Sequence, residues 1–151
     1  MRDLYPGIEA PAEGARAAGE EPALAGAGAH AATISLHADL KGASEVPAKD
    51  TNAGGTLSAT LDTDTNQLKY QVTYSGLTGP VTAAHFHGPA GEGVNAKPQV
   101  PVKGPYEATI DGTTTITAEQ AKDLLDGKWY FNLHTAANPG GEIRGQVVKS
   151  Q

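Results

Sequence analysis

The feature that most constrains this chain is a two-residue alternation of apolar and polar side chains, repeated in short runs and broken by turn-formers. Ile34, Leu36, Ala38 and Leu40 alternate with Thr33, Ser35, His37 and Asp39. Leu57, Ala59 and Leu61 alternate with Thr56, Ser58 and Thr60, and Leu68, Tyr70, Val72 and Tyr74 resume the pattern after a turn at 62–66. Successive side chains of a strand point to opposite faces, so each run buries one face and wets the other. Val81 to His87 reads as a fourth strand. Pro98 and Pro101 confine Val100 and Val102 to a short edge strand, because proline cannot donate to a central ladder. Tyr106 to Asp111 and Thr113 to Thr117 read as two further strands or one bent one. Lys128 to His134 and Glu142 to Lys149 read as the last two.

One segment changes period. Thr117 and Gln120 have the spacing of a capping box, Ala121, Leu124 and Leu125 share one helical face, and Gly127 supplies the stop. Nineteen glycines and ten prolines suit short strands and turns. The strand–helix alternation of a parallel sheet is absent. Residues 33–151 are therefore expected to form an all-β antiparallel sandwich, or flattened barrel, with one short helix across an end. Residues 1–32 are rich in Ala, Gly, Glu and Pro. They read as an extended tail, flexible or bound to a partner, because so few bulky apolar groups cannot offset the ordering entropy. Leu4, Tyr5, Pro6 and Ile8 are the natural anchor if the tail docks on another protein.

Composition removes several functions. A net charge of -6 and a pI near 5.2 argue against a nucleic-acid partner, which needs a basic face. No apolar run is long enough to span a bilayer. Residues 1–32 lack the basic start and apolar run of a secretory signal. With no cysteine, disulfides, thiolate metal sites and cysteine nucleophiles are all excluded.

The chemistry-bearing residues are histidines. His85 and His87 share one face of their strand, with Phe86 on the other. In the segment from Trp129 to His134, Trp129, Phe131 and Leu133 are the apolar set, which leaves Tyr130, Asn132 and His134 on the polar side. If the two strands lie together, His85, His87 and His134 converge outside the core as a candidate metal site. Neutral imidazole is a common ligand of copper and zinc, and copper(II) has the higher intrinsic affinity for nitrogen sites. The alternative is that each histidine bonds a neighbouring loop and only holds the fold. Asn132 and Thr135 are candidates to orient the imidazoles, as outer residues often do. Glu142 and Arg144 read either as such groups or as a cross-strand surface ion pair. Arg144 is also a candidate to guide a small anion. His37 reads as a solvated histidine, and Asn138 and Pro139 as turn-formers.

Three segments in order carry a family resemblance: Leu40-Lys41-Gly42-Ala43-Ser44-Glu45-Val46-Pro47, Ala84 to Ala90, and Asn138 to Gln146. Across about residues 33–148 the chain resembles the CHRD domain, a module named after chordin and found in bacterial exported proteins. The resemblance implies an immunoglobulin-like β-barrel and a periplasmic or secreted location. More distantly, it is similar to copper–zinc superoxide dismutases, which implies a Greek-key sandwich. By that likeness His85 and His87 match a His-x-His pair of copper ligands, His134 a third, and Arg144 an anion-guiding arginine. A bridging histidine, a zinc loop and a cysteine pair have no counterpart.

Three readings follow. The first is an exported, non-enzymatic binding module that holds copper, or zinc as second choice, through the three histidines. The second is a structural or assembly subunit that binds another protein through its tail or a sheet face, its histidines only stabilising the fold. The third is dismutase-like redox activity.

Overall fold

The alternating runs become the strands of one curled sheet in the computed structural model, which describes residues 32–150. In chain order the strands are β1 (Thr33–Lys41), β2 (Gly54–Asp62), β3 (Gln67–Ser75), β4 (Val81–His87), β5 (Pro98–Val102), β6 (Thr109–Thr115), β7 (Trp129–Thr135) and β8 (Ile143–Lys149). A helix, α1 (Ala118–Leu125), precedes β7, and a 3-10 turn at Gly42–Ser44 follows β1. The expected tail anchor of Leu4, Tyr5, Pro6 and Ile8 lies outside the described residues. No helix among the described residues is long and apolar enough to cross a membrane.

The sheet order is β5-β4-β7-β8-β1-β2-β3-β6, antiparallel at every ladder. β1, β2 and β3 form a meander extended by β6. The hairpins β4–β5 and β7–β8 form the other half. The connections β3–β4, β5–β6 and β6–β7 pass between the halves. Three Cα pairs join the halves at β1 and β8: Leu36 with Lys149, His37 with Val148, and Lys41 with Arg144. The sheet folds over on itself, since Tyr70 of β3 meets Phe86 of β4 edge to face with centroids 5.3 Å apart. Those strands lie near opposite ends of the sheet order, so the structure is the nearly closed, flattened all-β barrel that the alternation required.

Local chemistry explains the turns. At the β2–β3 hairpin Asp62 Oδ1 accepts from the backbone N–H of Asp64 at 2.9 Å and of Thr65 at 3.2 Å. Asn66 takes φ 60°, a left-handed position that asparagine tolerates. Ahead of α1, Thr117 Oγ1 accepts from the Gln120 N–H at 3.0 Å, and Gln120 Oε1 accepts from the Thr117 N–H at 2.9 Å. Gly127, at φ 76°, follows the helix. β5 sits at the sheet edge, where Pro98 and Pro101 are tolerated. The segment read as two strands or one bent one is a single strand, β6. Its register with β3 runs unbroken through Gly112, where a Cβ would collide with the Tyr70 ring.

Phe86 centres one end of the core. It is fully buried and also touches Phe131 at 4.9 Å and Trp129 at 5.8 Å between centroids. Because its aromatic neighbours come from two strands, β3 in one half and β7 in the other, little can collapse into the space it fills. Phe86→Ala should cost about 3–5 kcal/mol, measured by urea unfolding. A loss below about 1 kcal/mol would contradict this packing.

Candidate metal centre

β7 lies between β4 and β8, and all seven of its residues are buried. Trp129, Phe131 and Leu133 enter the core. Tyr130, Asn132 and His134 take the opposite face with His85 and His87 of β4 and Arg144 of β8. Register sets the neighbours: Ala83 pairs with His134, His85 with Asn132, His87 with Tyr130, and Asn132 with Arg144. The loop between β4 and β5 folds over this face. Polar groups closed off in this way must find partners within the protein.

The three imidazoles meet. His85, His87 and His134 each offer a nitrogen, and these atoms lie within 4.8 Å of one another. His85 Nδ1 is 3.2 Å from His134 Nε2. Two nitrogens bound to one ion at about 2.0–2.1 Å, with an angle between about 90° and 110°, stand about 2.9–3.4 Å apart, so this pair fits a shared metal.

Backbone carbonyls orient two of the rings. His134 Nδ1 donates to Pro139 O at 2.8 Å. A carbonyl only accepts, so the Nε2 of neutral His134 carries the lone pair, aimed at His85. His87 Nδ1 donates to Ala96 O at 3.0 Å, and His87 Nε2 stands 3.0 Å from Asn132 Oδ1. Burial, and then the neighbouring His134 and His87, lower the pKa of His85. Burial is also the main cause that lowers His87, and His134 and Arg144 act in the same direction against its hydrogen bonds. Both effects favour the neutral, ligand-competent form.

Of the two readings of Arg144 and Glu142, burial removes the surface one. They are 2 % and 0 % exposed, so neither belongs to a surface ion pair. Arg144 donates from Nη1 to Asn95 Oδ1 at 3.0 Å and from Nη2 to Val94 O at 2.6 Å. Its guanidinium carbon stands 3.4 Å from the centre of the Tyr130 ring, on which His87 also stacks at 4.7 Å. Instead of standing open to a passing anion, Arg144 ties down the β4–β5 loop. Tyr130 Oη takes part, accepting from the Ala96 N–H at 3.0 Å, as does Gln146, which donates to Ala90 O at 2.8 Å.

Glu142 bonds no imidazole. Its carboxylate accepts from Thr51 Oγ1 at 2.7 Å, Thr78 Oγ1 at 2.7 Å, Thr135 Oγ1 at 2.8 Å and Asn138 Nδ2 at 3.2 Å. It thus joins the loops after β1, β3 and β7. Thr135, a candidate to orient an imidazole, spends its hydroxyl on Glu142. Asn138 and Pro139 do form the turn, and Glu142 steadies the turn whose carbonyl holds His134. His37 stands apart, 3.1 Å from Ser150 Oγ.

Two contributors escaped the sequence reading. Strand parity places Tyr130 beside Asn132 and His134, so that signal was present. Glu45 sits in a loop without period, and its only signal was its place in the 40–47 segment that carries the family resemblance. It is 5 % exposed, and its Oε2 accepts from Asn132 Nδ2 at 3.5 Å. Burial pushes its carboxyl up to about 7, against the opposing charge of Arg144 and the Asn132 bond.

Burial alone would raise the Glu142 carboxyl as well, but bonds from Thr78, Thr51, Thr135 and Asn138 win and hold it down to about 2. Folded-state depression of an acid contributes stability above the unfolded pKa, which is lost as pH falls through the folded one. The contribution, on the order of 3 kcal/mol, should disappear between pH 4.5 and about 2. Glu142→Gln should lower stability at pH 7 and flatten the acid limb in urea unfolding measured across pH. Superimposable acid limbs for the two proteins would remove Glu142 from this role.

Among known protein families, the CHRD domain matches residues 36–147. No curated protein and no solved structure matches the chain.

Proposed function

The chain belongs to the CHRD domain family, and from that premise we propose that it is a non-enzymatic binding module that holds a transition metal through His85, His87 and His134. One observation carries the reading: three imidazoles on one sheet face bring ligand nitrogens within 4.8 Å of one another. A histidine that only held the fold would need its hydrogen bonds but no such convergence. The Nδ1 bonds of His87 and His134 to main-chain carbonyls add the support that metal-binding histidines usually receive. All-nitrogen donors from imidazole favour copper(II), with zinc as second choice. Three protein ligands leave a position for water or a partner's side chain, which suits storage or delivery. We place the protein in the periplasm or outside the cell on the strength of its family.

Titration of metal-free protein with copper(II), followed by electron paramagnetic resonance, tests this. We expect one tightly bound equivalent with nitrogen hyperfine structure. His87→Ala should lose more than about a hundredfold in affinity, beyond the cost typical of removing a residue that merely supports a ligand. Failure of the parent protein to bind, or equal binding by the variant, would return the histidines to a purely structural role.

A further inference from the structure

Glu45 is a buried carboxylate to which the three-histidine reading gives no task. It enters from the loop after the 3-10 turn and meets the imidazole cluster through one intermediary. Asn132 Nδ2 lies 3.5 Å from Glu45 Oε2, and Asn132 Oδ1 lies 3.0 Å from His87 Nε2. When ionised, the form that a cation beyond the amide favours, Glu45 accepts and does not donate, so it takes the NH2 end of the amide. The other end, a carbonyl oxygen, is then turned toward the imidazoles.

Two further observations mark this arrangement as built. The first is Gly141, at φ 122°, where a Cβ would collide with Glu45 Oε2 and come within 2.6 Å of Asn132 Nδ2. The contact between carboxylate and amide occupies the space that only glycine leaves. The second is the pair of spacings on the sheet face. Asn132 Oδ1 to His87 Nε2 is 3.0 Å, beside 3.2 Å for His85 Nδ1 to His134 Nε2. Both separations suit neighbouring donors on one ion with bonds of about 2.0–2.2 Å. At His87 both nitrogens face oxygen acceptors, Ala96 O and Asn132 Oδ1. In neutral His87 the proton on Nδ1 leaves a lone pair on Nε2 that faces a lone pair of Oδ1, and a cation between them satisfies both.

We propose that Asn132 Oδ1 is an oxygen ligand of the site and that Glu45 is the positioning residue that keeps it turned inward. The proposal rests on the three-histidine reading and sharpens it. The donor set becomes three imidazole nitrogens and one neutral oxygen, which suits a borderline divalent cation such as copper(II) or zinc. Glu45 touches no imidazole and acts only through the amide.

The test is copper(II) titration with paramagnetic resonance on the full chain, comparing wild type with Glu45→Gln, Asn132→Leu, His87→Ala and the double variant Glu45→Gln/Asn132→Asp. In the double variant the amide and carboxylate exchange places, so an oxygen still faces inward with a donor behind it. Glu45→Gln and Asn132→Leu should each weaken binding about tenfold and shift the copper g and hyperfine values, with nitrogen couplings retained. The double variant should recover most of the affinity. Urea midpoints of the metal-free proteins identify any variant that fails to fold, and the double variant then decides on its own. Wild-type affinity and spectrum in both single variants would overturn the proposal. If His87→Ala abolishes binding in that same experiment, the three-histidine reading stands without it. No binding by wild type would overturn both.

Discussion

Every residue of β7 is buried, so a polar side chain on either of its faces is costly to leave unsatisfied. Its core face is apolar apart from the Trp129 indole N–H, a buried donor with no hydrogen-bond partner among the described residues. Its other face carries Tyr130, Asn132 and His134 under a covering loop, and each finds a protein partner: Ala96 for Tyr130, His87 and Glu45 for Asn132, and Pro139 and His85 for His134. An unpaired buried polar group costs roughly 1–3 kcal/mol. That cost forces register, loop path and side-chain placement to agree. The geometry of the imidazoles is a result of this agreement.

The β4–β5 loop is the second half of the same constraint. Pro98 ends its freedom where β5 begins, and the bonds from Arg144, Tyr130, His87 and Gln146 draw it across the face. Arg144 is charged and nearly inaccessible, which is tolerable because carbonyl oxygens and an aromatic ring take the place of water. Glu142 plays the matching part at the other end of the strands, where threonine hydroxyls and Asn138 compensate the buried carboxylate. The two groups are separate anchors, one for the covering loop and one for the turn behind His134.

Much of the fold was legible because strand parity is local. The alternation in β1, β2, β3 and β4 assigns each residue to a face without reference to any other segment, and the Thr117–Gln120 pattern does the same for α1. Parity also put His85, His87 and His134 outside the hydrophobic core. What remained hidden depended on contact between distant segments. Glu45 and Asn132 are 87 positions apart, and nothing near Glu45 announces a buried carboxylate. Arg144 looked exposed because an outward position on a strand is usually wet, and only the loop above it makes it buried.

The sequence by itself thus determined the all-β class, the edge placement of β5, the helix boundaries and the set of chemistry-bearing residues. Each of these follows from period, capping or the missing N–H of proline, acting within a few residues. The tertiary structure alone decided that β4 and β7 are neighbours, that their imidazoles meet at 3.2 Å, and that Arg144 and Glu142 serve different loops. Those outcomes depend on strand order and loop closure. In a curled sheet these are settled by which apolar faces can be buried together, a property of the whole chain that no short window contains.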